Sequence, residues 1–147
     1  MIRDQEFLLP PNMADWLPPE HLVWFVIEVI DQMDTGGFHR LSQRGGVGRQ
    51  GYDPDMLLTL LVFAYACGER SSRRIERLCV DHVAFRVACG DDAPDHTRIA
   101  RFRADHQDEF VEVFAQVLRL CARQGMGKFG TIAIDGTKIA ANAAKGA

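Results

Sequence analysis

The sequence predicts a mainly α-helical protein whose chain changes to β-structure near its end. Apolar residues recur at spacings of three and four along most of the 147 residues, which is the period of one face of an α-helix. Glycine and proline divide these runs into helix-sized segments. From Thr131 to Asn142, by contrast, an Asp-Gly pair separates two short apolar runs, as in a β-hairpin. We therefore expect a helical domain over residues 1–127 and the beginning of a second domain over residues 128–147.

The chain begins with a segment that contains two proline pairs, Pro10-Pro11 and Pro18-Pro19. Proline fixes φ and biases the residue before it away from the helix. Residues 1–19 are therefore predicted to form an extended arm, which Trp16 anchors on the protein surface.

The first two helices have recognisable starts. The first is predicted to begin near Pro19, with Glu20 in its first turn, where the helix dipole favours an acid. Glycine-rich residues 36–51 then form a connection that lacks the spacing of a phosphate-binding loop. Asp53 caps the second helix and Pro54 takes its first position. This second helix is apolar nearly all round, which predicts that it forms the centre of the core.

Four further helices follow, most of them preceded by a residue type that can cap a first turn. Their predicted starts are Ser71 or Ser72, Asp81 for a short helix over 82–89, Asp95 or Thr97, and Gln107 for a last long helix that ends at Arg123.

The positive charge of the chain is concentrated in one segment. The net charge is −3, with 17 Lys and Arg against 20 Asp and Glu, so no global attraction to nucleic acid is expected. Residues 70–103 nevertheless hold eight arginines against five acids. Such a segment either neutralises DNA phosphates or forms a solvated face paired with nearby acids. The candidate phosphate contacts are Arg73, Arg74, Arg77, Arg98, Arg101 and Arg103.

Other residue patterns exclude several classes of site. The four cysteines lack zinc-finger or C-x-x-C spacing and lie in apolar patterns, so we expect buried free thiols in a reducing compartment. The five histidines have no Cys or Ser partner at a catalytic spacing. The start of the chain is unlike a signal peptide, and the apolar run over 56–67 is too short to span a bilayer. We expect a cytoplasmic protein without a membrane partner.

Asp135 admits two interpretations. It stands at the tip of a predicted strand, where a rigid backbone exposes carboxylate oxygens, as metal-dependent phosphoryl chemistry requires. An Asp-Gly pair is also a common hairpin turn, in which Asp tolerates a positive φ. The local pattern by itself favours the turn.

Six segments occur in an order that resembles one protein family. They are Phe7 to Pro11 with Trp16 to Pro18, Asp53 to Leu58, Ser71 to Glu76, Val83 to Arg86, Pro94 to Arg103, and Ile134 to Lys138. Over essentially its whole length the chain is similar to bacterial insertion-sequence transposases with an InsH-like N-terminal helical domain ahead of a DDE catalytic domain. The resemblance implies that residues 128–147 form the first β-hairpin of a ribonuclease-H-like domain.

The same resemblance implies functional roles. Asp135 matches the first of three carboxylates that hold two divalent ions, Mg²⁺ in the full-length family, for strand cleavage and transfer at terminal inverted repeats. The second Asp and the Glu of that set are not in this sequence. We therefore expect a truncated catalytic domain that binds no metal and is inactive by itself.

The function expected from the resemblance is binding of transposon-end DNA by the helical domain of a transposase. Its partners would be the terminal inverted repeats and either a second copy of the chain or the remaining half of the transposase. The alternative is a helical protein–protein assembly module of a transposase that makes no direct contact with DNA.

Overall fold

The structure of the protein is a computed structural model that describes residues 11–33, Gly36 and residues 53–124. Met13–Asp15 form a short 3-10 helix within the predicted arm. The described α-helices are α1 (Leu22–Gln32), α2 (Pro54–Ala66), α3 (Ser72–Asp81), α4 (Val83–Ala88), α5 (His96–Asp105) and α6 (Gln107–Arg123). The described part of the chain is thus helical, as predicted, whereas the prediction of a β-hairpin over residues 128–147 falls outside the described residues.

The core is built around α2. Asp53 caps this helix by accepting a hydrogen bond from the Asp55 N–H at 3.0 Å, with Pro54 in the first turn. Every side chain from Leu57 to Ala66 is buried. The one polar residue in that run, Thr59, donates its hydroxyl to the Asp55 carbonyl at 2.7 Å, so its burial leaves no donor unpaired. The prediction of a central core helix is confirmed.

The other helices pack around α2 in a connected order. α1 and α4 contact both α2 and each other, α3 packs on α4 and α5, and α6 packs on α5. Phe63 of α2 meets Phe85 of α4 edge to face, with ring centroids 5.0 Å apart. Tyr65, near the end of α2, meets Phe110 of α6 in the same way at 4.9 Å. These aromatic contacts connect α4 and α6 to the central helix.

Two predicted helix starts are wrong. α1 begins at Leu22 rather than near Pro19, because His21 caps it: the His21 Nδ1 accepts the Val23 N–H at 3.1 Å. The residues before His21 form a turn closed by a bond from the His21 N–H to the Pro18 carbonyl. Asp81 caps no helix, since it is the last residue of α3, and α4 begins at Val83 after the extended residue His82.

The first described segment is held by Trp16, as the sequence predicts. The Arg86 guanidinium of α4 lies over the Trp16 ring, 4.9 Å from its centroid. The same guanidinium donates to the Asp91 carboxylate at 2.8 and 3.3 Å. This pairing holds the pKa of Asp91 below its usual range. One cation therefore connects the N-terminal segment with the turn after α4.

Candidate nucleic-acid interface

The outer side of α3 carries arginines because its inner side is fixed in the core. Ser71 caps the helix: its hydroxyl accepts the Arg74 N–H at 3.3 Å, which confirms one of the two predicted caps. Ile75 is fully buried and sets the rotation of the helix. With that rotation, Arg73 and Arg77, one turn apart, are both exposed.

The three arginines of α3 differ in their partners. Arg74 Nε lies 2.7 Å from Glu69 Oε1, so its charge is paired. Arg73 and Arg77 make no ion pair with any residue in the described ranges. Two exposed cationic groups on neighbouring turns therefore remain available to an anion from outside the chain.

Arg103 of α5, a predicted DNA contact, is engaged inside the protein. Its guanidinium donates to the Ser72 hydroxyl at 2.8 Å, to the Tyr65 hydroxyl at 3.2 Å and to the Arg70 carbonyl. These acceptors lie at the end of α2 and the start of α3, so Arg103 fastens α5 to the corner between them. The roles of Tyr65 and Arg70 were not predicted, since a phenol and a backbone carbonyl carry no local sequence signal.

α5 is attached to α3 at its other end as well. Asp95 caps α5 by accepting the Arg98 N–H at 2.8 Å, which confirms one of the two predicted caps. His96 Nδ1 lies 2.9 Å from Glu76 Oε2 of α3. The side of α5 that carries His96 and Arg103 therefore faces α3.

The two remaining predicted contacts lie on another side of α5. Successive residues of an α-helix are rotated by about 100°, so Arg98 and Arg101 each lie about 140–160° around the helix from His96 and Arg103. Arg101 is exposed and Arg98 is half-buried. The structure thus separates the six arginines into an outward pair on α3, a pair on the far side of α5, and two whose guanidinium groups bond to Glu69 and to the corner between α2 and α3. These pairs are Arg73 with Arg77, Arg98 with Arg101, and Arg74 with Arg103.

The predicted metal ligand, Asp135, lies outside the described residues. Within the described ranges, no cluster of three or more His, Cys, Asp and Glu side chains is arranged to hold a metal ion. The role of Asp135 and the binding of Mg²⁺ in the full-length family therefore stay predictions from the resemblance.

The cysteines are free thiols, as predicted, but one of them is exposed. Cys79, Cys89 and Cys121 are buried, whereas Cys67, just after α2, is exposed. The prediction of burial is therefore wrong for Cys67, because the chain leaves the core at the turn that contains Gly68. Burial raises the pKa of the Cys121 thiol to about 11, and a hydrogen bond to Cys89 raises the pKa of Cys79. Neither Cys79 nor Cys121 is a reactive thiolate near neutral pH.

Comparison with known protein families gives one match. Residues 11–105 match the family described as Transposase domain (DUF772). The chain belongs to this transposase domain family. Comparison with curated proteins and with solved structures finds no match.

The match to the transposase domain covers the arginine-bearing helices. It ends at Asp105, which is also the last residue of α5. All six predicted contacts therefore lie within the family domain, whereas α6 lies beyond it. The predicted relation to transposases is confirmed at this level. Among the described helices, none has the length and apolar character needed to cross a membrane.

Proposed function

We propose that this transposase domain acts in DNA transposition by binding transposon-end DNA, with Arg73 and Arg77 of α3 as its principal phosphate contacts. The observation that carries the proposal is the pair of exposed guanidinium groups on neighbouring turns, neither of them paired with a described residue. Phosphate neutralisation by such side chains supplies essentially all of the non-specific affinity of a protein for DNA and a large share of the specific affinity.

Two of the acids near these arginines already have partners, whereas Asp81, one turn after Arg77 on the same helix, is exposed. Glu69 pairs with Arg74 and Glu76 contacts His96. Arg73 also stands in the first turn of α3, where the partial positive charge of the helix N-terminus adds to the attraction for phosphate. The outer side of α3 is therefore a local cationic surface on a chain whose net charge is −3.

Arg98 and Arg101 are proposed as auxiliary contacts. Since they lie on the side of α5 that faces away from α3, they reach a duplex bound at α3 only if the DNA curves around the domain. Arg74 and Arg103 contribute their charge, but their guanidinium groups are occupied by Glu69 and by the corner between α2 and α3.

The test is a titration of the full chain against labelled DNA that carries an inverted repeat, at a series of salt concentrations. Replacing both Arg73 and Arg77 by Ala should weaken binding and lower the slope of log K against log salt by about 2. The matched comparison is between the DNA affinities of the Arg77→Ala and Arg101→Ala variants, because each substitution removes one exposed charge. A double variant that keeps the wild-type affinity and slope would refute the proposal, and so would a wild-type chain that binds no DNA at low salt.

A second candidate function is assembly of a transposase without direct contact with DNA. Val111 of α6 favours it, because this side chain is 61% exposed and lies on a helix beyond the family domain. A chain that forms a stable dimer but binds no DNA at low salt would establish assembly as its role.

The catalytic role of Asp135 is a separate proposal that follows from the resemblance. The full chain would be incubated with Mg²⁺ and inverted-repeat DNA, and we expect no nick. A Mg²⁺-dependent nick that Asp135→Ala abolishes would show that Asp135 serves catalysis in this chain.

A further inference from the structure

A groove runs between α5 and α6 at the end of α2. Its volume is about 690 Å³. Phe110 and Phe114 line it from α6, and Ala100 and Ala104 line it from α5. The two alanines leave room for an approaching helix, since their side chains end at Cβ. Arg70, Arg103 and Gln107 also line it, so the groove is a mainly apolar surface with a polar end that the described part of the chain leaves open.

α6 has a second apolar stripe along the edge of this groove. Its members are spaced by four, three and four residues: Val111, Ala115, Leu118 and Ala122. This is the spacing of the seam in a coiled coil. The stripe lies beside the buried one that holds α6 on the core, and its first member is 61% exposed. Leu118 also packs against the core, whereas Val111 and Ala122 are exposed in the described part of the chain.

Four exposed charges lie along one flank of this second stripe. They are Asp108, Glu112, Arg119 and Arg123, and all lie within about 80° of Ala115 around the helix, on the same side. The two acids occupy the first half of α6 and the two arginines the second half. Asp108 and Arg123 are equally distant along the chain from the midpoint between Ala115 and Gln116, and so are Glu112 and Arg119.

We infer that the groove and this stripe bind the α6 helix of a second copy of the chain in antiparallel orientation. A two-fold axis at the midpoint between Ala115 and Gln116 places the acidic half of each α6 opposite the basic half of the other. The charge pattern is therefore complementary to itself under the symmetry that most homodimers have. Ala115, next to the axis, lets the two helices approach closely.

The helix dipole accounts for only part of this pattern. It favours acids in the first turn and bases in the last, but it does not place them on one flank. Within a single chain, Asp108 and Glu112 are like charges one turn apart, as are Arg119 and Arg123, and such neighbours destabilise a helix. Antiparallel pairing gives each of the four an opposite charge from the partner.

Charge reversal tests this dimer with its own internal control. The full chain and its variants would be examined by sedimentation velocity and by size-exclusion chromatography with light scattering, over a wide range of concentration. Glu112→Arg alone, or Arg119→Glu alone, should raise the dimer dissociation constant by at least about tenfold, because each brings like charges together across the axis. The double variant Glu112→Arg, Arg119→Glu restores opposite charges at both symmetry-related pairs across the axis. Its dimer dissociation constant should return to within about threefold of wild type.

Two results would overturn the inference: a wild-type chain that stays monomeric at its highest soluble concentration, or a dimer whose dissociation constant neither single substitution changes. Both residues are exposed, so the variants should fold, which circular dichroism verifies. The variant with Arg73 and Arg77 replaced by Ala should dimerise like wild type. Loss of DNA binding and loss of dimerisation are therefore separable outcomes.

Discussion

Replacing Arg103 by Ala distinguishes a structural arginine from a DNA contact. The sequence places Arg103 among the DNA contacts, whereas the structure shows its guanidinium donating to three acceptors at the corner between α2 and α3. Removing the guanidinium leaves the Arg70 carbonyl and the Ser72 hydroxyl without this donor. The expected primary effect is therefore a loss of stability.

The size of the loss follows from the three bonds. A typical hydrogen bond contributes about 1 kcal/mol net, and more when the donor is charged. The bonds to the Arg70 carbonyl and the Ser72 hydroxyl count for about 1 kcal/mol each, and the longer bond to the Tyr65 hydroxyl for about half of that. Because the site is only part-buried, hydrogen bonds to water can replace part of the free energy that these three bonds contribute. We expect Arg103→Ala to lower the free energy of unfolding by about 2 kcal/mol.

Urea unfolding followed by circular dichroism measures this change. A loss of about 2 kcal/mol corresponds to a midpoint lower by about 1 M urea at an unchanged slope. Arg103→Lys keeps the charge but cannot reproduce the planar fork of donors, so it should lose most of the same free energy. Arg101→Ala is the control and should change stability by less than about 0.5 kcal/mol. Equal stabilities for the Arg103→Ala and Arg101→Ala variants would refute this account and support the original prediction of a DNA contact.

Two further predictions concern the helix termini. His21→Ala should cost about 1 kcal/mol through the lost cap of α1, whereas His21→Asn should retain much of it. Burial, with a smaller effect from His82, lowers the pKa of His21 below 6.5, and burial also lowers the pKa of His106. The unfolded chain therefore binds more protons just below that pH, so the free energy of unfolding should fall as the pH drops below about 6.5. Urea titrations at about pH 7.5 and about pH 5.5 give the difference in the free energy of unfolding between the two pH values. This difference should be smaller for His21→Asn than for wild type, and an equal difference would contradict the assignment of the effect to His21. Gly68 has a φ of +82°, and a Cβ atom added at this position would have no neighbour within 4 Å. Gly68→Ala should therefore cost about 1 kcal/mol of backbone strain without a clash. Gly68→Asn should cost less, and a larger loss for Asn than for Ala would contradict this.

The helical architecture could be predicted where local chemistry decides it. Asp53 and Pro54 mark the start of α2, and the recurrence along α6 gives both of its ends, because caps and apolar spacing act within a few residues. The start of α1 could not be predicted in the same way. Histidine is not among the preferred caps, and its ring reaches the Val23 N–H only because a turn precedes it.

The candidate interface was only partly predictable for a different reason. The arginines are visible in the sequence, but their availability depends on residues far away along the chain. Arg103 is engaged by Tyr65, Arg70 and Ser72, all more than thirty positions earlier. The orientation of Arg98 and Arg101 depends on the contacts of His96 and Arg103, which turn the opposite side of α5 toward α3. Tertiary packing, which local patterns do not encode, decides both.

Mutational drift acts very unequally on α2 and α3. Every side chain from Leu57 to Ala66 is buried, so enlargement or a polar substitution there disrupts the whole core. On α3 only Ile75 and Cys79 are buried, and its outward positions carry almost no packing constraint. Related domains can therefore exchange the outward residues of α3, and with them the surface offered to a partner, while its core side chains and its contacts with α5 keep the helix in place.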